Sequence, residues 1–176
     1  MSVPETIDLG DFTLRRWTAD RAEALHEAVR DSFPSLHPWM PWAAAPATIA
    51  DQVEYLTAVE KSWEAGEAHN YAILDGERVI GSIGLMNRVG PGATEIGYWL
   101  RTGATGRGVV TRAVTALIAV ARADLAVARV EIHCDELNLR SAAVPQRLGF
   151  TLARTDTVTP EAPSETGRLQ IWTLES

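Results

Sequence analysis

The sequence predicts an α/β (α+β) fold: a single domain, residues 1–176, with a mixed, mostly antiparallel sheet of seven strands flanked by helices. Three observations predict it. The chain has 176 residues, 46% of them hydrophobic, which suits one domain with one substantial core. Its apolar segments follow the order β-α-α-β-β-β-α-β-α-β-β. Its centre, residues 94–124, reads as a strand, a glycine-rich loop and a helix.

The N-terminal third predicts one strand and one helix, followed by a proline-stiffened loop. Residues 12–17 read as the strand, and a helix begins near Thr18. Residues 31–42, D-S-F-P-S-L-H-P-W-M-P-W, contain three prolines. Prolines interrupt a helix and push the preceding residue towards an extended conformation. This segment is therefore either a lid over a ligand or a plug at the edge of the core.

The second helix has a clear start signal. Thr48 is followed three residues later by Asp51, the spacing of a capping box, and Gly66 is a suitable stop. Apolar residues recur at helical spacing and predict the buried stripe: Ile49, Val53, Leu56, Val59 and Trp63.

An antiparallel meander follows and leads to the centre of the chain. Residues 71–74 and 79–85 read as two strands joined at Asp75-Gly76, a typical hairpin dipeptide. After a turn at residues 87–92, the central strand 94–100 runs directly into the glycine loop.

The last third alternates helices and strands. The helix after the glycine loop runs to about Asp124. Residues 127–134 form the next strand, parallel to the central one because a helix connects the two. A short helix at residues 141–148 and strands at 150–154 and 168–174 complete the sheet.

The glycine loop predicts an anion-binding site. Gly103, Gly106 and Gly108 precede a helix whose first N–H groups lack partners and carry partial positive charge. Arg101 and Arg107 add cationic side chains. The loop has no P-loop lysine, and its G-x-x-G-x-G spacing differs from the dinucleotide fingerprint. Coenzyme A is the other common pyrophosphate ligand, and an ordinary strand-to-helix turn is the alternative.

The amino-acid composition of the chain limits the classes of partner and ligand that we expect. The net charge is −7, which disfavours nucleic acid and suits an amine substrate, although acidic chains are also common for solubility alone. Cys134 is the one cysteine, so no intrachain disulfide forms, and a reducing, cytoplasmic location is natural. No signal peptide or membrane-spanning stretch is visible, so we expect no membrane partner. The four histidines have no metal-ligand spacing, which predicts no metal.

Several segments resemble the RimJ/RimL-type branch of the GNAT N-acetyltransferase superfamily. They are L-R-R-W, L-H-P-W-M-P-W, I-G-S-I-G-L, E-I-G-Y-W-L, and N-L-R-S with the later R-L-G-F. The GNAT acetyl-CoA loop pattern Q/R-x-x-G-x-G/A falls on residues 105–110, with Gly108 at its fourth position. Thr105 replaces the usual Gln or Arg, and Val110 replaces the usual small residue. The resemblance covers roughly residues 12–174.

The resemblance implies a GNAT fold with splayed central strands and acetyl transfer from acetyl-CoA to a primary amine. The acceptor is a protein N-terminus or a small molecule, attack is direct within a ternary complex, and a homodimer is common. The residues implied to bind the cofactor are Trp99, Leu100, Arg101, Thr105, Gly106, Arg107, Gly108, Val109, Val110, Thr111, Asn138 and Arg147. Succinyl-CoA or another acyl-CoA remains an alternative donor. The unusual residues Thr105 and Val110 leave open a non-catalytic CoA-binding or assembly protein.

For this reaction, the position of residues along the chain suggests a base and acceptor residues, and the resemblance suggests an acid. Glu95, on the central strand, is the candidate general base, directly or through a water, and a salt-bridged glutamate is the alternative. Ser141 is the candidate acid that protonates the departing thiolate, and helix capping is its alternative role. Three side chains of the tryptophan segment are expected to line the acceptor pocket: His37, Trp39 and Trp42.

Overall fold

The computed structural model describes residues 2–176, and Met1, the first residue of the predicted domain, lies outside them. Eight strands form one mixed sheet in the order β1-β2-β3-β4-β5-β6-β8-β7. The strands are β1 Thr6–Asp8, β2 Thr13–Arg16, β3 Ala68–Asp75, β4 Arg78–Met86, β5 Ala93–Leu100, β6 Arg129–Asp135, β7 Thr151–Thr157 and β8 Arg168–Glu175. The helices are α1 Ala22–Leu36, α2 Ile49–Glu64, α3 Val109–Ala123 and α4 Leu139–Arg147.

The sheet has one strand more than the seven predicted. The additional strand, β1, has three residues and pairs antiparallel with β2 at the sheet edge, where Thr6 faces Arg15. Three residues are too few to show the alternation of apolar and polar side chains that identifies a strand from sequence. The other seven strands appear in the predicted order.

The helices cover the two faces of the sheet and enclose a hydrophobic cluster on each. One cluster joins α1 and α2 to Ala72 and Leu74 of β3. The other joins α3 and α4 to the alternate residues of the same strand, Tyr71 and Ile73. Successive strand side chains point to opposite faces, so β3 contributes to both clusters.

The first helix is longer than the prolines of residues 31–42 led us to expect. α1 continues through Pro34 to Leu36, and His37 N–H still donates to Phe33 O at 2.9 Å. Proline costs a helix one backbone hydrogen bond. Ser32 and Leu36 are buried against the rest of the protein, and this packing retains the last turn.

The second helix begins as predicted but presents a different stripe to the core. Thr48 and Asp51 form both bonds of the capping box. Ile49 and Val53, which were expected inside, are exposed, and Gln52 is buried instead. The predicted core residues Leu56, Val59 and Trp63 are buried.

The central strands β5 and β6 separate partway along their length. They are the one parallel pair among the described strands, and they pair at three positions, of which Glu95 with Glu131 is the last. β5 nevertheless continues to Leu100 and β6 to Asp135. A gap therefore opens between the two strands, as the splayed-strand prediction requires. Within residues 2–176, no helix combines the length and apolar character needed to cross a bilayer.

Candidate functional site

A cavity of about 1160 Å³ lies along the end of β5, at Tyr98, Trp99 and Leu100, beyond the last residue of that strand that pairs with β6. Four parts of the chain line it: the end of α1 with the loop after it, the last half of β5, the glycine loop with the first turn of α3, and α4. The cavity therefore joins the strand gap to a helix N-terminus, the two features expected of the site.

The first turn of α3 presents unpartnered backbone N–H groups to this cavity. Gly106 and Gly108 have φ angles of +80° and +69°, which glycine adopts without strain. Gly108 is the N-cap and makes no side-chain capping bond. The first helical bond comes from Arg112 N–H to Gly108 O at 3.1 Å. Apart from its chain neighbours, a Cβ at either glycine would meet no atom of the described chain within 4 Å, so the loop backbone borders open space, which suits the close approach of an anion.

Cationic side chains reach the cavity from α4. Arg140 and Arg147 line it and are exposed. Among residues 2–176, no carboxylate forms an ion pair with either guanidinium. Arg147 was expected from sequence and Arg140 was not, although it belongs to the N-L-R-S segment.

The two arginines that the sequence placed beside the glycine loop have other partners. The Arg101 guanidinium is buried, donates to Glu27 at 3.0 Å and contacts Asp31. Arg107 donates to Asp75 at 3.1 Å, and Asp11 lies 3.7 Å away. Both guanidiniums are paired with carboxylates, and neither residue lines the cavity; their role as anion ligands stays a prediction. The Arg107 backbone remains part of the loop.

The free edge of β5 offers backbone groups along the gap. Arg101 N–H donates to Ile80 O on β4 at 2.7 Å. N–H and C=O directions alternate along a strand, so the groups of Tyr98 and Leu100 point towards the gap, and those of Trp99 and Arg101 towards β4. Of the predicted backbone contacts Trp99, Leu100 and Arg101, only Leu100 has this direction. The Trp99 side chain still lines the cavity.

Ser141 sits beside a tyrosine in the cavity wall. Tyr98 Oη donates to Ser141 O at 2.8 Å, and Ser141 Oγ lies 3.4 Å from Tyr98 Oη. Burial raises the pKa of Tyr98. Asn138 caps α4 by accepting from Ser141 N–H at 3.3 Å, and it also lines the cavity. Tyr98 was not predicted as a site residue. Its only signal in the sequence was strand alternation, which places Tyr98 on the face of β5 opposite to that of Glu95.

Cys134 has the properties of a packed thiol. It is buried among core residues. Burial raises its pKa to about 11, so the thiol is protonated at neutral pH and is a weak nucleophile. This agrees with a reaction that has no acyl-enzyme on cysteine.

Glu95 lies at the closed end of the gap rather than in the cavity wall. Its two oxygens accept from Arg88 Nε and Nη2, each at 2.7 Å. The carboxylate is buried. This is the salt-bridged arrangement that the sequence left as an alternative to a general base.

The structure places only one of the three predicted acceptor residues in the cavity wall. Trp39 lines the cavity. His37 stacks on Phe33, and its Nδ1 lies 2.8 Å from Ala43 O, so its ring supports the loop and does not face the cavity. Trp42 is exposed and stands outside the cavity wall, with its ring 6.0 Å from that of Trp99.

The described residues contain no group of three or more His, Cys, Asp or Glu side chains arranged to hold a metal ion. The site is thus built from backbone N–H groups, arginines and a strand gap. Together these features suit a ligand that carries phosphates at one end and a narrow chain at the other, able to lie along the unpaired edge of β5. The model of the Acetyltransferase (GNAT) domain family matches residues 11–151.

The chain belongs to the GNAT acetyltransferase family, whose members transfer acetyl groups from acetyl-CoA. It is 32% identical over 149 residues to YdaF of Bacillus subtilis (strain 168), provisionally named a ribosomal N-acetyltransferase; the match covers 79% of this chain and 77% of YdaF. Many solved structures share the fold, among them two acetyltransferases with bound coenzyme A or acetyl-CoA. RimL, the ribosomal L7/L12 α-N-protein acetyltransferase bound to coenzyme A, has a TM-score of 0.90, 22% identity, and coverage of 97% and 98%.

The second structure is the microcin C7 self-immunity acetyltransferase MccE in complex with acetyl-CoA and AMP. Its TM-score is 0.90 at 23% identity, with 98% of this chain and 97% of MccE covered. The RimJ/RimL-type resemblance of the sequence is thereby confirmed at the level of the family.

Proposed function

We propose that this protein transfers an acetyl group from acetyl-CoA to the α-amino group of a protein N-terminus. One observation carries the proposal: the cavity connects the unpartnered N-terminus of α3 with the gap between β5 and β6. The names of YdaF and RimL, both concerned with ribosomal proteins, favour this acceptor. An α-amine has a pKa near ~8, against ~10.4 for lysine, so it is easier to deprotonate at neutral pH.

Acetyl-CoA would be held by the residues that line the cavity. The backbone N–H groups of residues 106–111 suit the pyrophosphate. Arg140 and Arg147 suit its phosphate charges. The β5 edge at Tyr98 and Leu100, together with Asn138, offers hydrogen-bonding groups to the amides of the pantetheine arm.

The chemistry is a direct displacement. The amine nitrogen forms a bond to the thioester carbonyl carbon, and the carbon–sulfur bond breaks. We assign to Ser141 Oγ, which lies 3.4 Å from Tyr98 Oη, the transfer of a proton to the departing thiolate. The free ammonium carries three protons and the product amide keeps one, so one proton goes to the thiolate and one leaves for solvent.

Thermal unfolding with acetyl-CoA, succinyl-CoA and free CoA tests the donor. Ligand at 100 times its dissociation constant adds about 2.7 kcal/mol of stability. Thiol release is then measured with peptides that have a free N-terminus, the same peptides blocked at the N-terminus but containing lysine, and small amines. Turnover of the free N-termini alone supports the proposal. Turnover of small amines alone, or binding without any turnover, contradicts it, and the second result would indicate a CoA-binding protein.

The same proposal includes a cytoplasmic location and a homodimer. The single, packed cysteine and the ribosomal substrate in the relatives' names support the location. The family resemblance is the support for the dimer. Sedimentation of the purified chain measures its oligomeric state directly.

Removing the free cations of α4 should weaken the donor. Arg140→Gln with Arg147→Gln should raise the KM for acetyl-CoA by about 10- to 100-fold, because a hydrogen bond to a charged group contributes about 1.5–3 kcal/mol. The kcat at saturating acetyl-CoA should change little. Steady-state kinetics at two ionic strengths measure both constants.

Arg154→Gln is the matched control, since Arg154 is exposed on β7 and paired with Asp156. An equal rise in KM in this control would show that general surface charge, and not the two α4 arginines, attracts the donor.

A further inference from the structure

A group of buried polar side chains occupies the closed end of the strand gap. Glu95 and Glu131 are the last residues paired between β5 and β6. His133 lies two residues beyond Glu131, on the same face of β6, where the strands have begun to separate. His133 is not among the residues that line the cavity.

The hydrogen bonds of the imidazole define which nitrogen is free. His133 Nε2 lies 2.6 Å from Glu131 Oε2. A carboxylate accepts hydrogen bonds, so the proton of the neutral imidazole is assigned to Nε2 and its lone pair to Nδ1. Nδ1 is 3.7 Å from Glu95 Oε2, too far for a hydrogen bond. Two acceptors therefore face each other across a short space, an arrangement that suits a cationic donor such as an ammonium group.

The carboxylates beside the histidine are already engaged. Arg88 binds both oxygens of Glu95. Arg129 Nε donates to Glu131 Oε1 at 2.8 Å. Burial acts to raise the pKa of Glu131, but the hydrogen bonds from His133 and Arg129 outweigh it and lower that pKa. The Nδ1 lone pair of His133 is thus the best available base of the group.

The histidine is also the most accessible member of the group with a free acceptor. Its side chain is 18% exposed, against 7% for Glu95 and 4% for Glu131. Between Glu95 and the cavity residue Trp99, the same face of β5 carries only Gly97. A Cβ at Gly97 would meet Met86 Cε at 2.9 Å, so the Met86 side chain lies over Gly97, and this flexible, unbranched chain has to move for an acceptor to pass from the cavity to His133.

His133 and the proposed acid Ser141 lie on opposite faces of the sheet. The next residue, Cys134, points to the opposite face, and its thiol lies beside Ser141. Successive strand residues face opposite sides. A base at residue 133 and an acid at residue 141 would therefore act on the reaction from opposite faces of the sheet, across the gap.

We propose that His133 is the general base that takes a proton from the acceptor ammonium, with Glu131 as the positioning residue that fixes its tautomer. This inference rests on the proposed N-acetyl transfer. The ammonium lies between His133 Nδ1 and Glu95 Oε2 and gives one proton to Nδ1. The resulting amine attacks the thioester, its second proton goes to the thiolate, and His133 later releases its proton to solvent.

The charged side chains that face the imidazole come from two strands and one turn, and Asp135 lies two residues farther along the same face of β6. The carboxylates come from β5 and β6, and the guanidiniums from the turn after β4 and from the start of β6. On the other side, β8 places Ile171 opposite His133 and Thr173 opposite Glu131. The facing ionisable groups are Glu95, Glu131, Arg88 and Arg129.

His133→Gln tests the proposal, because glutamine retains a donor for Glu131 but cannot accept a proton. We expect kcat/KM for the acceptor to fall at least about 100-fold, the usual contribution of a general base. The thermal shift with acetyl-CoA should equal that of the wild type. The acidic limb of the wild-type pH profile of kcat/KM should be absent from the variant. His26→Gln, on α1 and outside the site, should leave all three measurements unchanged.

A second variant distinguishes a catalytic role of His133 from a role in packing. His133→Ala should lose activity similarly, and added imidazole should restore part of it, which a structural role would not allow. A kcat/KM of His133→Gln within threefold of wild type would overturn the inference, and so would an unchanged acidic limb of its pH profile. Wild-type turnover of the amine would in that case still support N-acetyl transfer. If His133→Gln fails to fold, failure of imidazole to rescue folded His133→Ala overturns it. Wild-type protein that turns over no amine would instead remove the proposed function itself.

Discussion

Gly108→Ala should reduce the affinity for acetyl-CoA by about 10- to 100-fold while the protein remains folded. Gly108 has a φ of +69° at the N-cap of α3. An L-residue in this conformation costs about 1–2 kcal/mol. The additional methyl group would enter the open space in front of the unpartnered N–H groups, where we place the pyrophosphate. Strain lowers stability, and the loss of close approach between anion and backbone lowers affinity.

The hairpin between β3 and β4 supplies a matched control for this variant. Gly76 has a φ of +59°, and a Cβ there also meets no atom within 4 Å. Gly76→Ala should therefore cost a similar stability and leave acetyl-CoA affinity unchanged. Thermal unfolding gives the stability of each variant, and titration calorimetry gives its affinity. If the two variants bind acetyl-CoA equally well, the α3 N-terminus is not the phosphate site.

The parts of the fold that sequence predicted well are those encoded by neighbouring residues. The capping box at Thr48 and Asp51 needs only a three-residue spacing and occurs as expected. The glycine loop before α3 is equally local, because glycine is the residue that adopts positive φ without strain. The parallel relation of β5 and β6 followed from the helix that connects them.

The carboxylate partners of Arg101 and Arg107 come from distant parts of the chain. Arg101 is adjacent in sequence to the glycine loop, but its partners Glu27 and Asp31 are 74 and 70 residues away. No local pattern indicates that α1 brings two carboxylates to this arginine. The same holds for Ile49 and Val53, since the face of α2 that is buried depends on its packing against α1 and the sheet.

The histidine at the strand gap illustrates the same limit within the site. The segment V-A-R-V-E-I-H-C was read correctly as a strand. The alternation of a strand shows that Glu131 and His133 share a face, but not which face meets Glu95. That depends on the register between β5 and β6, and the structure sets it by pairing Glu95 with Glu131.

Asp135→Ala should destabilise the protein by about 3 kcal/mol, because the buried carboxylate accepts several hydrogen bonds from a distant loop. Thr166 N–H donates to it at 2.8 Å, Gly167 N–H at 3.2 Å, and Leu137 N–H at 3.0 Å. Without the carboxylate these N–H groups lose their acceptor. Asp156→Ala, at an exposed ion pair on β7, should change stability by less than about 0.5 kcal/mol. Urea unfolding at pH 7 compares the two variants.

Loss of the Asp135 carboxylate should also change the shape of the cavity wall. The loop held by Asp135 continues to Ser164, whose N–H donates to Pro38 O at 2.9 Å. Pro38 lines the cavity beside Trp39. We therefore expect Asp135→Ala to raise the KM for the acceptor more than the KM for acetyl-CoA. Unchanged acceptor KM in folded Asp135→Ala would show that the loop does not support the acceptor side.

The destabilisation should depend on pH in a defined direction. Burial acts to raise the pKa of Asp135, but the hydrogen bonds from Leu137, Thr166 and Gly167 outweigh it and lower that pKa below its usual value. A carboxyl whose pKa is lower in the folded state binds its proton more readily when unfolded. Its contribution to stability is therefore complete above the unfolded value of about 3.9 and declines as the pH falls through the folded value. The stability difference between wild type and Asp135→Ala should be constant from pH 7 to about 5 and shrink below about pH 4. A difference that grows as the medium is acidified would show that the carboxylate is not the stabilising form.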